Sequence, residues 1–449
     1  MFKCKKLVLP LSMAVVIAAL SACGDNKNEG SSGDGKSADN PPDKKITLKM
    51  IQHANQATND AVAALNEEFT KLYPHITIET DIVDSAQYPQ MLQTRLAAGD
   101  VDLIEFSTFG MENPDWAKGV EKKAEQQYIE NGDILDLSGQ AFLDNWDPNM
   151  IRDAATFQGK VYDLNIGKVA YNGIFYNKAI FDQYGLKEPR TWDEFINICR
   201  TLEENKIAPL TSGAKDSWPM GMMTSAFVNA NEPDVTLFAK SLWTGERQFN
   251  DPQTLKLFDK MQQFASYFEK GVTSVDYASV VGRFVSGKAA MMPDGTWQAA
   301  QISEADPDFA YGYFTIPGDA AADKPVQLAG KYDIGYAGYA KSKNTDAILK
   351  WLDFLSKKEN YTKFVNKIGF IPTMTGVELD NAFMNSLAPI NQDFQVNFEI
   401  VNRAPKGLGK YGGFAIMQFK ELGGSVKSAQ ELADLAQQDW DTAIKAASN

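Results

Sequence analysis

An α/β fold, with an open, mainly parallel sheet flanked by helices on both faces, is predicted by three features of this 449-residue sequence. Strand and helix patterns alternate from Ile46 to Phe106, and capping signals open separate helices at Thr191 and Ser428. The chain also exceeds what one hydrophobic core usually supports, so two domains are expected.

Ile46 to Ile51 (ITLKMI) reads as the first strand. A helical pattern follows, carrying Val62, Leu65, Phe69 and Leu72 on one side until Pro74 stops it. The alternation of His75 to Ile82 (HITIETDI) gives a second strand, Tyr88 to Ala98 a second helix, and Val101 to Phe106 a third strand after Gly99-Asp100. This strand-helix order favours parallel pairing through crossover helices. Thr191-Trp192-Asp193-Glu194 is a capping box ahead of Phe195, Ile196, Cys199 and Leu202, and Ser428-Ala429-Gln430-Glu431 repeats it before Leu432, Leu435, Ala436, Trp440 and Ile444. Asp251-Pro252 opens a further helix with Leu255, Phe258, Met261, Ala265 and Phe268 on one side.

The formal charge is −14, and three units more negative without Lys3, Lys5 and Lys6, so the surface repels phosphates and nucleic-acid partners are excluded. Of three cysteines, Cys199 lies on an apolar helix face and is expected to be buried and inert. With only His53 and His75 and no cysteine cluster, a transition-metal site has little to build with, and neither metal nor cofactor is expected. The segment Gly407 to Gly413 (GLGKYGG) contains a GxGxxG match, but it follows no early strand-to-helix unit, so a dinucleotide role is rejected.

At the N-terminus, Lys3, Lys5 and Lys6 precede an apolar run from Leu7 to Leu20 and then Leu20-Ser21-Ala22-Cys23, which resembles a bacterial lipoprotein signal. The resemblance implies removal of residues 1–22 and an acyl lipid, such as palmitate, on Cys23. Gly24 to Lys45 is rich in Gly, Ser, Asp, Asn and Lys and reads as a solvated tether. From Ile46 onward no apolar run is long enough to cross a membrane.

Four ordered segments carry a wider resemblance: Phe69 to Phe106 with YPHITIE and LAAGDVDLIEF; Gly173 to Leu210 (GIFYNKAIFDQYGLKEPRTWDEFINICRTLEENKIAPL); Phe284 to Trp297 (FVSGKAAMMPDGTW); and Ala340 to Pro372, from AKSKNTDAILKWLDFLSKKE to GFIP. On these the chain is similar to the carbohydrate-type (family 1) extracellular solute-binding proteins of bacterial ABC importers, relatives of maltodextrin-binding protein. The resemblance implies a two-lobe periplasmic-binding-protein-like fold with the ligand cleft between the lobes. Crossings are placed near Ile166, Phe314 and Ile368, giving an N-terminal lobe of 46–166 and 315–368 and a C-terminal lobe of 167–314 and 369–449. It further implies a monomeric, non-enzymatic receptor, lipid-anchored outside the cell membrane. Such a receptor closes on a sugar, with an oligosaccharide favoured, and hands it to the transmembrane subunits of an ABC permease.

A sugar offers hydroxyls that need directional partners and C–H faces that stack on rings. Trp297 follows the loop Pro293-Asp294-Gly295-Thr296, where the family places a stacking aromatic; a core Trp at a helix start is the competing reading. Asp294 either accepts sugar hydroxyls or caps the next helix, and Trp218, in the polar stretch Lys215 to Pro219, is expected to be exposed and to stack on ligand, with packing as the competing reading. Trp192, Trp243, Trp351 and Trp440 read as structural, while Trp116 and Trp146 are open.

Loops at the C-terminal ends of parallel strands face the cleft in open sheets, which selects His53, Asn55, Gln56, Phe106 and Ser107. An ordinary surface or packing role is the main competitor for His53, and local hydrogen bonding for Asp102 and Glu105. Tyr171 lies at a crossing, and Lys331, Tyr332 and Asp333 follow Gly330 in a loop suited to polar contact. Tyr411 and Phe414 are further candidates for the cleft wall. The rival classes are a lipid-anchored glycoside hydrolase, which also needs aromatics and paired carboxylates, a binder of another solute such as a polyamine, and a purely structural surface protein.

Overall fold

Alternate residues of the first strand bury into two different cores, which is the signature of a sheet covered on both faces. In the computed structural model, which describes residues 45–319, 325–379 and 381–447, Leu48 and Met50 pack with Val62, Phe69 and Trp351, while Ile51 packs on the other side with Leu92 and Leu96. The signal segment 1–22, Cys23 and the tether up to Lys44 lie outside the described residues.

The strands are β1 (Ile46–His53), β2 (Ile76–Val83), β3 (Leu103–Glu105), β4 (Thr156–Phe157), β5 (Lys160–Val161), β6 (Leu164–Asn165), β7 (Lys168–Ala170), β8 (Gly173–Asn177), β9 (Ala208–Leu210), β10 (Ala289–Pro293), β11 (Tyr311–Thr315), β12 (Ala329–Tyr332), β13 (Gly335–Gly338) and β14 (Gln395–Val396). They form a five-stranded sheet β2-β1-β3-β13-β6, a four-stranded sheet β11-β8-β10-β9, a small sheet β14-β12-β7, and the hairpin β4-β5. The fold is α/β with two sheet-and-helix halves, as the sequence implies.

The pairing directions are more mixed than the expected mainly parallel sheets. β1 runs parallel to β2 and β3, but β13 runs against β3 and β6; in the second sheet only β10 and β9 are parallel. The physical reason lies in connectivity. β8 and β13 are entered directly from β7 and β12 rather than through a crossover helix, and no parallel neighbour is required of a strand reached that way. The chain therefore passes between the halves at β7 and β12, with Ile371 bridging to Lys168 beside them. Phe314 pairs with Ile174 inside the second sheet.

The local signals act as their chemistry dictates. Helix Gln56–Leu72 is capped by Asn55, whose side chain accepts the Thr58 amide, and is tied to helix Thr345–Leu355 by the buried indole of Trp351 donating to Asn66 at 2.7 Å. Thr191 and Glu194 form the full capping box of helix Trp192–Glu204, whose Cys199 is wholly buried. Ser428 takes the Glu431 amide at 3.2 Å, but Glu431 reaches back to the Lys427 amide, one residue earlier than the pattern implies. Asp251 accepts from the amides of Gln253 and Thr254 at the start of helix Pro252–Ser266. β3 is shorter than expected, although the Asp102 backbone still bonds Lys49 and Tyr339 on either side while its carboxylate accepts from the Lys49 amide and from Asn344. Among the described residues no helix is long and apolar enough to cross a membrane.

Candidate functional site

Where β3 ends and β12 turns into β13, side chains from distant parts of the chain enclose a cavity of about 250 Å³. Its walls include Glu105, Ser107 and Phe109 after β3, Lys331, Tyr332 and Asp333 at the passage, and Lys123 and Glu399 from further segments. The position is the one that open α/β sheets favour for ligands, beyond the C-terminal ends of parallel strands.

Its charges are arranged in pairs. His53 Nδ1 stands 2.6 Å from Glu105 Oε1, and the His53 amide donates to Oε2 of the same carboxylate at 3.0 Å. Lys331 Nζ lies 2.8 Å from Asp333, and Lys123 Nζ 2.8 Å from Glu399. Burial works against a charged imidazole at His53, but Glu105, with Asp333 beyond it, outweighs that cost and raises its pKa. Lys331 likewise suffers from burial, yet Asp333 and neighbouring groups hold it well above the ordinary lysine value. Of the four carboxylates lining this cavity, Glu105 thus faces His53, Asp333 faces Lys331 and Glu399 faces Lys123, while Glu125 lies beside them.

An aromatic run abuts these charges. Lys331 Nζ sits over the rings of Tyr171 and Phe398 at 5.6 and 5.9 Å, and those rings stack at 4.5 Å with 22° between planes. Tyr171 meets Trp297 edge to face at 5.0 Å, and Trp297 lies 6.4 Å from Trp218. Trp218 is 45% exposed and follows Ser217, whose φ of +61° is unusual for a residue with a side chain. Trp297 is only 8% exposed. A Cβ on Gly295 would stand 1.6 Å from its ring, so glycine lets the indole fold back over its own loop.

Beneath the run, Tyr277 organises a polar knot. Its hydroxyl accepts from the Trp297 indole and from Gln298, each at 2.7 Å, and donates to Asp294 at 3.2 Å. Asp294 also accepts from the Gly295 amide and Gln298. Burial pushes its carboxyl up to about 7, against the pull of these donors.

The expected residues are distributed as follows. Lys331, Tyr332, Asp333, Phe106 and Ser107 line the cavity, and His53 reaches it through Glu105. Tyr171, Trp297 and Trp218 form the aromatic run, with Asp294 buried below it. Asn55 is occupied in capping, Gln56 donates to Asp60 at the surface, and Tyr411 stands apart, its amide held by Asp439 and Lys410 over its ring. Trp146 is buried, donating to Ser356, and Trp116 is half-buried against Trp243. Sequence reasoning missed Tyr277, Phe109, Lys123, Phe398 and Glu399. Phe398 and Glu399 sit in QVNFEIV, whose polar/apolar alternation suggests one strand, whereas the structure has β14 at Gln395–Val396 and a short helix at Phe398–Val401.

Residues 54–362 match the sequence model of the bacterial extracellular solute-binding protein family. The multiple sugar-binding protein of Streptococcus mutans is 23% identical over 392 residues, which is 84% of each chain. The melibiose/raffinose/stachyose-binding protein MelE of Bacillus subtilis is 22% identical over 386 residues, 84% of this chain and 83% of that one. A solved structure of the solute-binding protein RafE in complex with raffinose superposes with a TM-score of 0.67 at 20% identity, covering 88% of this chain and 100% of that one.

Proposed function

We propose that this chain, which belongs to the bacterial extracellular solute-binding protein family, captures a sugar, with an oligosaccharide favoured, and delivers it to the transmembrane subunits of an ABC permease. Two lobes would close on the ligand, hinged at β7, β12 and the turn at Ile371, with residues 46–166 in one lobe and 173–314 in the other. A lipid on Cys23 would hold the monomeric receptor at the outer face of the cell membrane.

The observation that carries this reading is the junction at Lys331, whose ammonium lines the polar cavity and lies over the Tyr171–Phe398 stack. Flat rings beside fixed donors and acceptors match the two surfaces of a sugar. A polyamine would find only Glu125 among the lining carboxylates outside the ion pairs shown, because Glu105, Asp333 and Glu399 already face His53, Lys331 and Lys123. A hydrolase would need a raised carboxyl exposed to the ligand, whereas Asp294 is buried and committed to Tyr277, Gln298 and Gly295, and Asp163, likewise raised by burial, is sealed off and accepts from Thr108.

A thermal-shift screen over mono- and oligosaccharides tests the reading, since a ligand bound only by the native state raises the melting temperature. At least one sugar is expected to do so and to be recovered unaltered on thin-layer analysis. No shift with any sugar, or turnover of one, would overturn the proposal.

A further inference from the structure

We propose that the Lys123–Glu399 ion pair is a removable partition that sets how long a chain-like ligand the cleft accepts; the inference rests on the sugar-binding reading above. The cavity of about 250 Å³ is adjoined by a second, of about 460 Å³, and both have Lys123 and Glu399 in their walls. The first alone falls short of the roughly 300–1,000 Å³ that small-molecule sites occupy, while the two joined fall well within it.

The partition is built to be cheap to open. Lys123 stands at the start of helix Ala124–Glu130, and its ammonium also donates to the Phe109 carbonyl at 3.3 Å. Glu399 is carried on the short helix Phe398–Val401, next to the ring that stacks on Tyr171. Their side chains are 37% and 24% exposed, so solvent screens the attraction and the pair is a weak one. Glu399 lies against Gly110, where a Cβ would come within 2.5 Å of its Cγ, so glycine leaves room for its side chain there.

Beyond the pair, the second cavity carries donors suited to hydroxyls. Asn402 and Arg403 line it, and Arg403 Nη2 donates to the Glu112 and Gly110 carbonyls at 2.9 and 3.3 Å, which fixes the guanidinium in the wall. A short ligand would occupy the first cavity with the pair intact. A longer one would part Lys123 from Glu399 and extend past them into the second cavity, where Asn402 and Arg403 line the wall.

The test is calorimetry on the whole chain with three ladders: sucrose, raffinose and stachyose; chito-oligosaccharides; and xylo-oligosaccharides. Wild type is compared with Lys123→Met, Glu399→Gln and the charge swap Lys123→Glu with Glu399→Lys. On the ladder that binds, both single variants are expected to favour the longest member over the shortest by about two- to fivefold more than wild type does, the range for an exposed ion pair. The swap is expected to restore the wild-type length profile. A uniform change at every length, or an unchanged profile in both single variants, would overturn the partition while leaving sugar binding intact. Absence of binding to all three ladders by wild type would overturn the sugar reading and the partition with it.

Discussion

The indole N–H of Trp297 is committed to the hydroxyl of Tyr277 at 2.7 Å. That bond orients a ring that also lies 5.0 Å from Tyr171 and 6.4 Å from Trp218. The two tryptophans are therefore unequal partners: Trp297 is a buried wall and Trp218 is the exposed end of the run.

Trp297→Ala is expected to destabilise the fold by about 3–5 kcal/mol, as for other buried tryptophans, in urea denaturation. Trp218→Ala is expected to leave stability nearly unchanged and to weaken sugar affinity by roughly 0.5–1.5 kcal/mol, the worth of an aromatic contact beyond its area. Calorimetry showing full affinity in Trp218→Ala would remove that ring from the binding surface.

Asp294 makes stability depend on pH. Its folded value, about 7, lies above the unfolded 3.8, so the native state holds a proton that the unfolded chain releases. The associated stability is complete below about pH 4 and is lost as pH rises through 7. Asp294→Asn is expected to flatten this part of the urea-midpoint profile; an equally sloped profile in the variant would assign the pH dependence elsewhere.

His53 and His75 are the only histidines, so two imidazole signals suffice to follow the cavity pair by NMR. His53 is expected to titrate above its ordinary value of about 6.5, and Glu105→Gln to bring it down, because the carboxylate opposes the effect of burial. With the folded value the higher one, the pair stabilises the fold fully below about pH 6.5 and its contribution fades above the folded value. An unchanged titration in Glu105→Gln would show that the 2.6 Å contact does not govern His53.

Membrane attachment through Cys23 predicts that Cys23→Ser moves the protein from the membrane fraction to the soluble fraction, read by immunoblot after centrifugation. Retention of the variant in the membrane pellet would count against lipidation at that residue.

The sequence reveals those features that depend on neighbours in the chain. The caps at Asn177, Thr191 and Asp251 and the two-faced burial of β1 arise from short-range pattern, and the patterns at Thr191, Asp251 and β1 can be read directly. The cavity was legible only where it lies at strand ends or in a marked loop, as at Ser107 and Lys331 to Asp333. Glu399 could not be found this way, because its role comes from meeting Lys123, 276 positions away. Trp297 shows the same limit from another side: its loop announces a tryptophan near a ligand, but Tyr277 and Tyr171, which bury it, come from separate segments.

Cys199, sealed within the helix it helps to bury and the only cysteine among the described residues, has its thiol pushed upward by that burial. A probe-bearing cysteine introduced beside Trp218 would then be labelled selectively in a variant whose Cys4 and Cys23 are replaced. The folded receptor would become a fluorescent reporter of its own occupancy.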